Sequence, residues 1–309
     1  MKAFSLRRII FGIFALAFVS ACLIGRTNAQ GLFTQAEIVL YGSNAVETNV
    51  TLGNWGGGVC QASTKNTLGA AQSIQVTPRG LYQGGRLDFA TPVDLTKWFN
   101  DPEAYLQFVT RFHDVQETSG TASAWGLVAP TPATATVSRT GKIVKRIQVV
   151  LFFDGGESTE YQVDVNAFSP SPDAWVNVSF PFVALKGKLN LPAYNLKRIV
   201  ITGDGTEPFY IGEIRVIRDN TPIEANAGDE KEVGRNYPVV FSGTATGGAS
   251  ALKYSWDFDN SNGIQEEAVG ETVTHRFTRA GNFTVTLTVT DVFGLKKPAI
   301  ATTRVLVNE

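Results

Sequence analysis

The 309-residue chain holds two cysteines, two histidines and one methionine, and each scarcity removes a class of chemistry. Cys22 lies in an N-terminal leader, so only Cys60 stays in the processed chain and no intrachain disulfide can form. A catalytic thiol at Cys60 would need a histidine beside it, and His113 and His275 are the whole supply; a small buried thiol is the simpler reading. Zinc-binding His motifs, a nucleophile elbow and a phosphate-cradling glycine loop on a βαβ unit are missing. Charge is sparse too: 18% of residues, with a formal net charge of -1. That balance gives no electrostatic case for nucleic acid or an anionic membrane surface. Helical periodicity is nearly absent beyond the leader, which excludes a helical bundle.

What remains is strand after strand. "AEIVLY", "SIQVT", "GRLDFA", "AYLQFVTRF", "KRIQVVLFF", "EYQVDV", "WVNVSFPF", "LKRIVITG" and "FYIGEIRVI" are rich in β-branched and aromatic residues. Gly, Pro, Asn and Asp clusters separate them, the pattern of an all-β sandwich or barrel. Brief helical turns are expected at "DLTKWFND" and "LPAYN". The Thr/Ala/Pro/Ser-rich stretch 113–141 reads as a surface loop with Trp125 as its one bulky anchor. Near 219–223 the chain turns, Pro222 breaks the run, and a new alternating pattern begins.

The leader sets the compartment. Basic "MKAFSLRR" precedes the apolar run "IIFGIFALAFVSACLIG", which is too short and one-sided for a membrane span. Thr27 and Ala29 offer a cleavage site before Gln30, making residues 1–29 a signal peptide. "VSAC" also resembles the lipobox of bacterial lipoproteins, with Cys22 carrying lipid; a lipid there would be the chain's only tie to a membrane. Both processing routes stay open, and both predict an exported protein, secreted, periplasmic or at the cell surface.

From 220 to 309 the order of motifs is specific. "NAG" at 226–228, "VVFSGTAT" at 239–246, "YSWDFD" at 254–259, "THRFTRAGNFTVTLTVTD" at 274–291 and the final "TTRVLV" together resemble the PKD domain, an immunoglobulin-like β-sandwich. Alternation agrees independently: Phe283, Val285, Leu287 and Val289 point one way along their strand and four threonines the other. Trp256 is expected in the core. Asp257 and Asp259 share a face, and two neighbours on a sandwich edge make a poor catalytic pair. With Ser261 and Glu266 they have the oxygen-rich character of a calcium loop, yet the EF-hand register fails because position twelve is Ala268. A structural turn and a calcium site both remain readings of this stretch.

Residues 30–219 resemble galactose-binding-like jelly-roll sandwiches used as carbohydrate-binding modules. The resemblance rests on "GRLDFATPVDLTKW", "DAWVNVSFPFVAL" and "NLKRIVITGDGTEPFYIGEIRVI". It implies a structural calcium site between first and last strands, for which Glu213 and Glu37 are the candidates, although Gly212 replaces one carboxylate of the closing pair. Sugar rings stack on aromatic faces, so the candidates for carbohydrate are Trp55, Tyr82 and Trp125, each with core packing as the competing role. Trp98 and Trp175 read as core. The expectation is a non-catalytic protein whose partner is a polysaccharide or glycan, with no required cofactor. The alternative is a structural or adhesive protein that binds another surface protein and no sugar.

Overall fold

The computed structural model describes residues 36–42, 50–68, 72–112, 141–158, 160–168 and 174–309. Trp125, Cys22 and Ala29 lie outside these residues. In the first body the strands are, in chain order, β1 (Ile38–Tyr41), β2 (Val50–Trp55), β3 (Val59–Ser63), β4 (Ser73–Thr77), β5 (Gly80–Asp94) and β6 (Ala104–Arg111). They continue with β7 (Arg146–Phe153), β8 (Gly156–Glu157), β9 (Tyr161–Asp164), β10 (Val176–Pro181), β11 (Asn195–Gly203) and β12 (Phe209–Arg218). One six-stranded sheet runs β10-β6-β12-β4-β3, with β1 also on β12; the other runs β2-β5-β11-β7-β8, with β9 also on β7. Every pairing is antiparallel, so alternate residues of each strand face one shared core.

Leu106, Phe108, Ile214 and Val216 enter that core from the first sheet, and Leu87, Val149, Leu151 and Ile199 from the second; all are fully or almost fully buried. One end is closed by rings. Phe99 stacks on Tyr194 at 4.2 Å and 3°, and meets Phe153 and Phe182 edge-on at 5.3 and 4.9 Å. The turn expected in "DLTKWFND" is a 3-10 helix at Trp98–Asn100 that buries Trp98. "LPAYN" is not helical; the short α1 (Phe182–Lys186) precedes it, because Phe182 and Leu185 fall on one side of a helical turn and cap the core.

The second body contains β13 (Glu224–Asn226), β14 (Lys231–Gly234), β15 (Pro238–Ser242), β16 (Thr244–Thr246), β17 (Leu252–Asp257), β18 (Ala268–Val269), β19 (Thr272–Arg276), β20 (Gly281–Asp291) and β21 (Ala299–Asn308). Its main sheet is β14-β21-β20-β17-β18, opposed by the pairs β13-β16 and β15-β19. β14 joins β21 in parallel, closing one edge of the sheet. Trp256 is fully buried between Phe241, at 5.6 Å, and the β20 core residues, and its indole N–H donates to the Gly270 carbonyl at 2.8 Å. On β20 the alternation holds for Val285, Leu287 and Val289, but Thr286 is also buried, opposite Asp257 in the ladder.

Between the bodies lies a buried ionic latch. Lys296 Nζ donates to Asp219 Oδ2 (2.6 Å) and to the Gly247 carbonyl (2.7 Å), and the two charged side chains are only 10% and 8% exposed. Asp219 also accepts from Ala249 N, Thr221 N and Thr221 Oγ1. Burial alone would raise its pKa, yet the hydrogen bonds and the ammonium win and hold it below the ordinary carboxylate value. Around the latch Tyr105, Ile217 and Ala249 form an apolar cluster, and burial pushes the Tyr105 hydroxyl up to about 12. Phe293 reaches back to Tyr161, with ring centroids 5.1 Å apart.

Candidate functional site

The outward face of the β2-β5-β11-β7-β8 sheet can be read from its register as three rows. Trp55, Gly84, Thr202, Gln148 and Gln162 lie in the first; Gly53, Arg86, Val200 and Val150 in the second; Thr51, Asp88, Arg198, Phe152 and Glu157 in the third. Period-two geometry places all of them opposite the core residues that alternate with them. Two positions are glycines, and neighbouring atoms pack into the shallow trough they leave. A Cβ on Gly84 would meet the Ile201 carbonyl at 2.4 Å, and one on Gly53 would meet Arg86 Nε at 2.6 Å.

Trp55 leans across this trough. Its ring lies 5.8 Å from that of Phe152, tilted by 54°, and the Arg198 guanidinium sits 5.9 Å from the Trp55 centroid and 5.8 Å from that of Phe152. Arg198 Nε is held by Asp88 Oδ1 at 2.5 Å, and Arg86 Nε lies 3.1 Å from the other carboxylate oxygen, an ion contact without hydrogen-bond alignment. The cleft that results has a volume of ≈ 210 Å³. Val150, Val200, Gln148 and Thr202 form its floor, Trp55, Tyr82 and Phe152 are its aromatic lining, and Glu157, Ser158 and Glu160 line the remaining side. Tyr82 is 64% exposed, so its ring faces solvent and does not fill a core.

The sequence candidates thus divide. Trp55 and Tyr82 are brought together; Trp98 is core, as expected. The glycines after Trp55 serve the backbone. Gly58 sits against Gly84, where a Cβ would come within 2.3 Å of a backbone nitrogen, and Gly56 has φ +60 in the turn closed by Gly58 N to the Trp55 carbonyl. Phe152, Arg198, Glu157 and Glu160 were not legible as site residues. "DGGESTEYQVD" reads as a hairpin with a solvated rim, and so it is, but pairing of Phe152 with Glu157 sets that rim beside the aromatic face. Beneath the trough Cys60 packs against Gly85, and burial pushes its thiol up to about 11, which keeps it protonated and inert.

The carboxylates considered for calcium make the following contacts. Asp257 is buried and accepts backbone N–H groups of Asp259 (2.9 Å) and Gln265 (2.6 Å). Asp259 caps the 3-10 helix Asn260–Asn262 by accepting from Ser261 N, and also pairs with Arg279 at 3.2 Å. The Ser261 bonds, then Arg279, hold its pKa below the ordinary value. Glu266 pairs with Lys253 and accepts from Ser255 Oγ. Glu213 and Glu37 do not meet. β1 runs antiparallel to β12 with Ile38 opposite Val216 and Tyr41 opposite Ile214, which leaves the two glutamates roughly 15 Å apart at the usual rise per residue. Glu213 instead neutralises the buried guanidinium of Arg215, which also donates twice to Gln107 Oε1. Among the described residues no group of three or more His, Cys, Asp or Glu side chains is spaced to hold a metal ion. Nor, among them, is any helix long and apolar enough to cross a membrane.

No curated protein sequence matches the chain. Two solved structures with similarity are the fibronectin(III)-like modules of Clostridium thermocellum CbhA and the M60 catalytic domain with the CBM51-1 and CBM51-2 domains of Clostridium perfringens ZmpB. The first shares 11% identity over 56% of this chain and 83% of that one, at a TM-score of 0.24. The second shares 13% over 88% of this chain and only 24% of that one, also at 0.24. Scores that low establish no common architecture. The C-terminal body is specific in sequence as well as in fold: residues 219–307 match the family model of the PKD domain.

Proposed function

We propose that the protein is an exported, non-catalytic glycan-binding protein in which the outer face of the β2-β5-β11-β7-β8 sheet holds the sugar and the PKD domain carries that face. The observation behind this reading is the convergence of Trp55, Tyr82 and Phe152 on one open cleft with a mixed floor of valines, Gln148 and Thr202 and acidic groups at its side. Pyranose rings present flat C–H faces to aromatic rings, and Gln148, Glu157, Ser158 and Glu160 of the lining are the polar partners for hydroxyls. Loops are the commoner place for such aromatics, but a sheet face fixes them more rigidly. The leader supports export. Asp257 and Asp259, the pair that invites a catalytic reading, are committed to a turn, which supports a non-catalytic role.

The test is pull-down of the full chain on a panel of insoluble polysaccharides beside Trp55→Ala and Tyr82→Ala. Retention by one polysaccharide that Trp55→Ala abolishes supports the reading. Retention unchanged in both variants places the sugar elsewhere.

A further inference from the structure

We infer that the cleft selects glycans bearing free amino groups, that is, polysaccharides of unacetylated amino sugars. This deepens the proposed glycan reading and rests on it. The lining is asymmetric. Trp55, Tyr82 and Phe152 supply electron-rich ring faces, and Glu157, beside Phe152 in the ladder, and Glu160 carry negative charge on the edge away from β2. Arg86 and Arg198 both turn to Asp88 at the β5–β11 side, which leaves one positive charge there against the two carboxylates of the rim. The aromatic pair already holds one cation: the Arg198 guanidinium lies within 6 Å of both ring centroids.

A ligand spanning this face therefore meets apolar ring surface first and negative charge at the far rim. A neutral glucan satisfies only the first half. An amino sugar satisfies both, with its C–H face on Trp55 and its ammonium toward Glu157 and Glu160 at the exposed rim. Five strands at the usual spacing give a face roughly 20 Å wide, room for an oligosaccharide of about four units. A basic peptide has the right charge but not the right form. Peptides dock on sheets through an unpaired edge, and this surface offers side chains in the middle of the sheet.

Calorimetry of the full chain with a β-linked glucosamine tetramer, its N-acetylated counterpart and cellotetraose, at about pH 5.5 where sugar amines are protonated, tests this. The glucosamine tetramer is expected to bind about tenfold tighter than cellotetraose. Glu157→Gln with Glu160→Gln should erase that advantage, so that the glucosamine tetramer binds no tighter than cellotetraose, and the fold should survive because both side chains are exposed and neither supports the core. Equal affinity for all three oligosaccharides, or preference for the N-acetylated form, overturns the amino-sugar inference and leaves the glycan reading standing. Binding of none of them overturns both. A trilysine peptide that binds as tightly as the glucosamine tetramer also overturns the inference, because charge alone would then suffice.

Discussion

Replacement of Lys296 by Met probes the junction that fixes the cleft-bearing sheet relative to the PKD domain. The substitution keeps length and apolar stem but removes the ammonium that lies 2.6 Å from Asp219 Oδ2 and 2.7 Å from the Gly247 carbonyl. Breaking a buried pair from one side destabilises by about 3–5 kcal/mol, since a charge is left without its counter-ion. Asp219 keeps three protein donors, so the lower end applies, and the expected loss is about 3 kcal/mol. The pH dependence has a defined sign. In the intact chain the folded-state pKa of Asp219 is depressed below 3.8, so its contribution is complete above that value and is lost as pH falls through the lower, folded one. Without Lys296, burial favours the protonated acid, and the deficit should be largest at neutral pH and shrink on acidification. Urea unfolding followed by tryptophan fluorescence reads both effects. One transition in the parent chain should become two in Lys296→Met as the bodies uncouple. A loss under about 0.5 kcal/mol, the size of an ordinary surface substitution, with one unchanged transition at every pH, would refute the latch.

Other substitutions separate site from scaffold. Trp55→Ala should weaken glycan binding at least about tenfold, measured by calorimetry, while Cys60→Ala beneath the same trough leaves binding unchanged. Gly58→Ala should lower stability by about 2 kcal/mol or more in urea titration, because the new Cβ meets Gly84 backbone that cannot give way. Asp257→Ala should cost about 2 kcal/mol, since buried carboxylate acceptors for two backbone amides disappear; differential scanning fluorimetry checks it. Millimolar calcium against chelator should leave the melting temperature of the full chain unchanged, and an upward shift would mean that the Asp257 turn rearranges around an ion.

The legible parts of this molecule are those governed by local periodicity. Alternation in "NFTVTLTVTD" places Val285, Leu287 and Val289 in the core, as the structure has them. It could not show that Thr286 is buried as well, because that depends on Asp257 standing opposite across the ladder. Trp55 and Tyr82 were readable as ligand candidates from aromatic chemistry. Their union with Phe152, Glu157 and Arg198 was not, since strand order β2-β5-β11-β7-β8 brings together segments as far apart as Trp55 and Arg198, 143 positions along the chain. Register misled in the opposite direction for Glu37 and Glu213, which belong to paired strands but to opposite ends of them. Lys296 carried no sequence signal; only the docking of one body on the other makes it the partner of Asp219.

The most direct measurement is a glycan array probed in parallel with the full chain and with Trp55→Ala at matched concentration and fold. The account predicts a confined set of reactive glycans for the parent, with amino-sugar polymers foremost, and no signal above background for the variant. An array on which the variant retains the parent's pattern would contradict it.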